Sequence, residues 1–243
     1  PGEWFVKDAY GTDPILYYYP LNGAVNNVRV TVQAKGFEFD TNGSQGCANI
    51  HCRGLIFEHF ADELAYVGGE PNPLGVAINI KGSSHHITVD QCHFRKLRIG
   101  IADEGGGTQH HLTISNCTFD DVYRNATKMS SADATVTGNT LTNIGAVVGQ
   151  AGEDFGGNTA IKCQGDDCLI TWNRFHRTGG SAITTGGTRT NAQRNLVAHN
   201  AIDSALVMLN DHAAITFDYA DHLIIRDNII RSMTPNWSSS ATD

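Results

Sequence analysis

A six-residue pattern recurs along this chain and constrains its fold more than any other feature. An apolar residue is followed, after two positions, by Asn or Cys, and after one more by Phe, Leu or Ile. It reads Val89-x-x-Cys92-x-Phe94, Ile114-x-x-Cys117-x-Phe119 and Val136-x-x-Asn139-x-Leu141. It continues as Ile170-x-x-Asn173-x-Phe175, Val197-x-x-Asn200-x-Ile202 and Ile225-x-x-Asn228-x-Ile230. A degenerate first copy is Cys52-x-x-Leu55-x-Phe57. The marker residues are 37, 25, 22, 34, 27 and 28 positions apart. A second element falls between them: Ala77-Ile78, Gly100-Ile101, Ala160-Ile161, Ala182-Ile183 and Ala214-Ile215. The stretch 125–131 shows it poorly.

Val, Ile, Thr and Phe alternate with polar residues over short runs bounded by Gly, Asn, Asp and Ser, which describes strands and not helices. Three short strands per repeat predict an all-β chain, a single-stranded right-handed parallel β-helix of about seven coils. At the strand spacing, such a column is roughly 30–35 Å tall. A single coil cannot bury its own apolar face, and stacking does so. The marker position is then an inward corner, where Asn139, Asn173, Asn200 and Asn228 stack as an amide ladder. Cys92 and Cys117 occupy the same position, either as small buried hydrophobes or as a disulfide pair. Cys163 is expected to point inward, within reach of Cys168. The Cys-x4-Cys spacing does not make a zinc site, no His pairs complete one, and no metal is assigned.

Composition narrows the function. Charged residues are 17% of the 243, and the formal net charge is -8. A net acidic chain without a Lys/Arg run is a poor nucleic-acid binder. No apolar run reaches the roughly 18 residues of a membrane span. The chain opens at Pro1 without a signal-like stretch and closes on the polar segment 234–243. It reads as a piece of a longer or processed polypeptide, secreted or cell-surface.

Residues 1–45 lie largely outside the repeat and are read as a β-rich N-terminal cap, with the helix proper over 46–233 and a polar tail over 234–243. Glu3-Trp4 through Asp8, then Leu16-Tyr17-Tyr18-Tyr19-Pro20, resembles a segment near the β-helix of large right-handed β-helix glycoside hydrolases. Gly54-Leu55-Ile56-Phe57-Glu58-His59 is similar to the opening of their first full coil. The resemblance implies a β-helix in a carbohydrate context. Fold alone does not choose the reaction.

The two longest repeats place extra residues, roughly 59–74 and 145–157, after the Phe/Leu strand and before the Ala-Ile strand. Long loops are where function collects. These are expected to wall a groove over the Ala-Ile face, with a turn or two of helix in 60–67. By alternation, the residue after each Ile points outward: Asn79, Ala102, Lys162, Thr184 and Thr216. Two further on come Lys81, Glu104, Gln164, Gly186 and Asp218. Tyr66, Tyr123 and Phe155 are placed in the walls, where rings stack on sugars.

A groove of acids, amides and aromatics suits a polysaccharide. Glycoside hydrolysis needs two carboxyl groups flanking the bond. The stretch Asn210-Asp211-His212-Ala213-Ala214-Ile215 is similar to the family's D-G-G-A-I segment, which implies Asp211 as a site carboxylate and His212 beside substrate. Asp218 is the second candidate. Glu153 is the candidate acid, a loop carboxyl whose proton affinity desolvation against Phe155 would raise. Hydrolysis requires no cofactor. A polysaccharide lyase acting on uronates is the alternative, with Lys162 near Glu104 or Asp218, and Ca²⁺ held by carboxylates. A non-catalytic surface module is the third reading. Gly165-Asp166-Asp167-Cys168 resembles a polygalacturonase phrase, but here it falls at the turn before Ile170. A basic group, Arg95-Lys96-x-Arg98, is weighed with the lyase reading, since such an enzyme uses Lys or Arg as base or acid on a uronate.

Overall fold

Stacked short strands, each pairing with its counterpart one coil away, build this molecule. The computed structural model describes residues 3–7, 15–19, 35–39, 46–59, 66–67, 70–71, 75–103, 109–146, 158–186, 192–208 and 213–233. Among them there is no helix. The chain divides into two units, Pro1–Thr31 and Val32–Asp243. In the first, Glu3–Lys7 pairs antiparallel with Ile15–Tyr19. The second is the column.

One face of the column is a seven-stranded parallel sheet. In stacking order its strands are Ala48–Arg53, His85–Asp90, His110–Ser115, Thr135–Thr137, Leu169–Thr171, Leu196–Ala198 and Ile224–Arg226. A twelve-stranded sheet forms the other two faces. It is continuous because His93–Asp103 and Thr118–Met129 run from one face onto the next, with a register shift between Leu97 and Ile99. Lys35–Phe39 pairs parallel with Val76–Ile80. That stretch, read from sequence as part of the cap, is therefore a strand of the column.

The corners explain how so short a repeat closes. Strand pairing puts Asn49, His86, His111, Asp133, Asp167, Arg194 and His222 in one row, and all have φ between 52° and 60°. A second row is Gly54, Gln91, Asn116, Gly138, Trp172, His199 and Asp227, and a third runs from His59 and Lys96 to Ser204 and Ser232. Each is one left-handed residue that turns the chain between strands. That conformation costs a non-glycine residue about 1–2 kcal/mol. The ladder runs on through the turn and offsets the cost. Gln91 N–H donates to Ser115 O, Asn116 N–H to Thr137 O and Trp172 N–H to Ala198 O.

From the coil of Gln91 and Lys96 onward, the residue after a corner points inward. After the second corner it is the marker. Asn139 Nδ2 donates to Asn173 Oδ1, Asn173 to Asn200 and Asn200 to Asn228, each at 3.0 Å. Each amide oxygen also accepts a backbone N–H, and each amide nitrogen also donates to a carbonyl one coil away. Cys92 and Cys117 continue the ladder as thiols. Cys117 Sγ donates to Val89 O and Cys92 Sγ to Cys52 O, the carbonyls in register with those the amides use. All six cysteines are free thiols. A shorter ladder follows the first corner, where the Cys168 N–H donates to Asn195 Oδ1 at 2.8 Å.

Two residues beyond the marker, Phe57, Phe94 and Phe119 stack face to face at 5.0 and 4.7 Å. The Ala-Ile face fills the rest of the core with Ile78, Ile101, Ile161 and Ile183, all fully buried. The coil that lacks the Ala-Ile signature puts Ala126-Thr127 in that place, paired with Ile101 and Ile161. The Thr127 hydroxyl is buried with no hydrogen-bond partner. Asp103 also points inward, and its carboxylate accepts from the Ser130 and Ser131 N–H groups and the Ser131 hydroxyl. Tyr66–Val67 pairs antiparallel with Glu70–Pro71, and the rest of 60–67, where a helical turn is expected, lies outside the described residues.

Removing a rung from the middle of the ladder strands several buried groups at once. Asn173→Ala is expected to cost about 3 kcal/mol, and Asn228→Ala on the terminal coil about 1 kcal/mol, by denaturant midpoint. Burial pushes the Cys117 thiol up to about 12, and a hydrogen bond with Cys163, then burial, raises Cys168. Above the ordinary value of 9.0 the unfolded chain sheds these protons while the folded chain keeps them. Stability should therefore fall as pH rises from about 9 towards 12, a dependence that Cys117→Ala with Cys168→Ala should flatten. Before unfolding, a thiol reagent should modify the half-buried Cys47 and spare Cys117 and Cys168.

Candidate functional site

A β-helix presents function on its outward rows, since its interior is filled. On the Ala-Ile face the strand register sets one such row: Glu38, Asn79, Ala102, Lys128, Lys162, Thr184 and Thr216. Asn79, Ala102, Lys162, Thr184 and Thr216, the residues that alternation assigns to one row, fall in it together, and Glu38 and Lys128 join them. Glu38 belongs to the Lys35–Phe39 strand. Lys128 was hidden because its coil carries Ala126-Thr127 instead of Ala-Ile. Its signal was spacing, since a repeat must exist between Cys117 and Asn139.

The row is not uniformly open. Asn79, Ala102 and Thr184 are buried at 0%, 1% and 6% exposure, whereas Lys128, Lys162 and Thr216 are half-buried. Val76, Ile99 and Ala102 form a small apolar cluster separate from the main core. This end of the outward face is therefore covered. Asn79 Nδ2 donates to Glu38 Oε2 at 3.1 Å, and Lys81 lies 3.5 Å from the same oxygen. At the other end hydroxyls pair: Thr159 with Thr184 at 3.2 Å, and Ser181 with Thr216 at 2.7 Å.

The central feature is the pair Lys128 and Lys162. They are directly opposed on adjacent parallel strands, so their stems leave the sheet about 4.8 Å apart. Like charges directly opposite destabilise a sheet. Lys162 also makes a polar or electrostatic contact of its own. Neutral partners flank the pair in register, Ala102 on one side and Thr184 on the other.

The remaining candidates fall in three groups. Asp218 is exposed, and its N–H donates to Thr185 O, so it follows the strand that carries Thr216. Tyr123 is half-buried, on the segment leading to Lys128. Asp211, His212, Glu153, Phe155 and the Tyr66 side chain lie outside the described residues, as does Glu104.

Asp166 and Asp167, the polygalacturonase-like phrase, sit at the first corner. Arg194 clasps Asp167 through Nε at 2.7 Å and through its terminal nitrogen at 2.6 Å. Those bonds hold the Asp167 carboxyl below its usual range. Asp166 accepts the Gln193 N–H. Both are corner struts. Arg95, from the basic group, pairs with Glu58 one coil away, and Lys96 is a third-corner residue.

No curated protein matches the sequence. Among solved structures, the chain is similar to the crystal structure of an alginate lyase from Paenibacillus sp. str. FPU-7. The identity is 12% and the TM-score 0.47, and the match covers 82% of this chain and 63% of that one. No helix among the described residues is long and apolar enough to cross a membrane. The family described as "Right handed beta helix region" matches residues 76–236. That interval takes in six of the seven marker repeats, their corners and the outward row from Asn79 onward, and the chain belongs to the right-handed β-helix family.

Proposed function

We propose that the chain is a carbohydrate-active protein that binds an anionic, uronate-containing polysaccharide along the outward row of the Ala-Ile face and cleaves it by elimination. The observation that carries this reading is the opposed pair Lys128 and Lys162. Two lysines at adjacent rungs of the row supply cations for a uronate carboxylate, and the hydroxyl of Thr216 further along the row suits a sugar hydroxyl.

Neutralising the carboxylate is the demanding part of eliminative cleavage. Once its charge is offset, the proton on C5 becomes acidic enough for a base to remove. The electron pair left behind forms the C4–C5 double bond, the bond from C4 to the bridging oxygen breaks, and that oxygen leaves with a proton. No oxidant or external nucleophile is consumed. Lys128 and Lys162 are assigned the neutralising role, which acts on charge that grows in the transition state. Polymers of this kind are met outside the cytoplasm, so we place the protein as secreted or cell-surface. The hydrolytic reading rests on Asp211, Glu153 and Asp218, and the same assay separates the two.

Incubation with a panel of uronate polymers and neutral glucans should release ultraviolet-absorbing unsaturated ends from uronate polymers only. Lys128→Ala and Lys162→Ala should each lower kcat/KM by at least about 100-fold. New reducing ends without unsaturation, lost in Asp211→Asn or Glu153→Gln, would establish hydrolysis instead. Binding of uronate polymers without any cleavage would leave a recognition module, and an absence of both binding and cleavage would sink the proposal.

A further inference from the structure

On the seven-stranded face, successive coils each begin with two histidines. His85-His86 opens one strand and His110-His111 the next, 25 residues on, the same interval that separates Cys92 from Cys117. The register pairs His110 with His85, and therefore His111 with His86. In an ordinary strand, neighbouring side chains point to opposite faces. Here the second histidine of each pair is a corner residue, with φ of 53° at His86 and 58° at His111. The turn swings both rings of a pair to the same side. Nδ1 of His85 lies 2.8 Å from Nδ1 of His86, and Nδ1 of His110 lies 2.7 Å from Nδ1 of His111. Between coils the rings stack, His85 on His110 at 4.9 Å and His86 on His111 at 4.6 Å.

Four imidazoles thus form one block on the outside of the column. Within each pair the close nitrogens can share only one proton, because two N–H groups cannot point at each other. Ligand nitrogens of His86, His110 and His111 all lie within 4.8 Å of one another. Three nitrogens at bonding distance from one tetrahedral ion are about 3.4 Å apart. His86 and His111 are exposed, which leaves their rings room to rotate towards an ion.

We propose that His86, His110 and His111 bind a late first-row divalent metal ion of the zinc class, with His85 orienting His86 from behind. The donor set is nitrogen only, which suits zinc, cobalt, nickel or copper and not calcium or magnesium. The ion would join two coils at a corner and keep an outward coordination position. The site shares no residue with the lysine row, so it does not depend on the polysaccharide reading. The expectation of no metal rested on cysteine spacings that lack histidine partners. The sequence signal for this site is two His-His dipeptides separated by one repeat.

The test is titration of the tag-free chain with Zn²⁺ by calorimetry and with Co²⁺ by visible absorption. The expected result is one ion per chain, an intense tetrahedral Co²⁺ spectrum and a higher Tm with Zn²⁺. His86→Asn with His111→Asn, chosen because Asn tolerates the left-handed corner, should abolish binding. His85→Asn should weaken it roughly 10–100-fold, as loss of an orienting partner does. His222→Asn, in the same corner row with no second histidine beside it in sequence, should leave it unchanged. Binding that survives the double substitution in a folded protein, or that His222→Asn removes equally, would overturn the site. Should the double variant fail to fold, the unaltered chain decides: no one-to-one binding and no tetrahedral Co²⁺ spectrum would overturn it.

Discussion

Everything in this molecule depends on the hydrogen-bond ladder between coils not breaking at the corners. A parallel strand must find a partner for every N–H and C=O, and a turn of several residues would leave some of them bare. The chain turns with one left-handed residue instead, and the N–H of that residue still donates to the next coil. At each second corner from Gln91 onward the next residue sends an amide or thiol inward, where it bonds to a carbonyl of the neighbouring coil. Conformational strain of about 1–2 kcal/mol per corner is thereby offset by bonds that exist only when the neighbouring coil is present. Stability is thus distributed along the column as nearest-neighbour terms.

The same corners dictate where chemistry can sit. Between corners, side chains alternate, and the inward half is consumed by Ile, Val, Leu and Phe. Outward rows are left for function, one residue per coil, in register. Two residues of like type at matching positions in successive coils therefore come together without any sequence proximity. Lys128 and Lys162 meet this way across 34 residues, and the histidine pairs across 25. At a corner alternation fails, two consecutive residues share a side, and the repeat then yields a block of four.

The repeat was legible because its markers carry a strong physical demand. Asn at an inward corner and Ile after Ala, recurring together coil after coil, fit stacked strands and no helical period. The outward row followed from alternation alone, and it fails only where its own assumption fails. Lys128 escaped because Ala126-Thr127 puts a hydroxyl where the pattern requires Ile, and the coil holds although that hydroxyl lacks a partner. Asn79 was expected on an open floor and is buried, because an outward residue can be covered by what lies over the sheet, and alternation is blind to that. The histidine block escaped because a left-handed φ at a charged or aromatic residue has no sequence signature as clear as glycine's.

Sequence by itself determined the coil, its three strands and its inward ladder, since those follow from local alternation and from a repeat that must bury its apolar side. Tertiary structure decided register, the burial of outward residues and the neighbours at each corner. These depend on which residues of different coils lie side by side, and coil lengths from 22 to 37 residues hide that pairing until the strands are stacked.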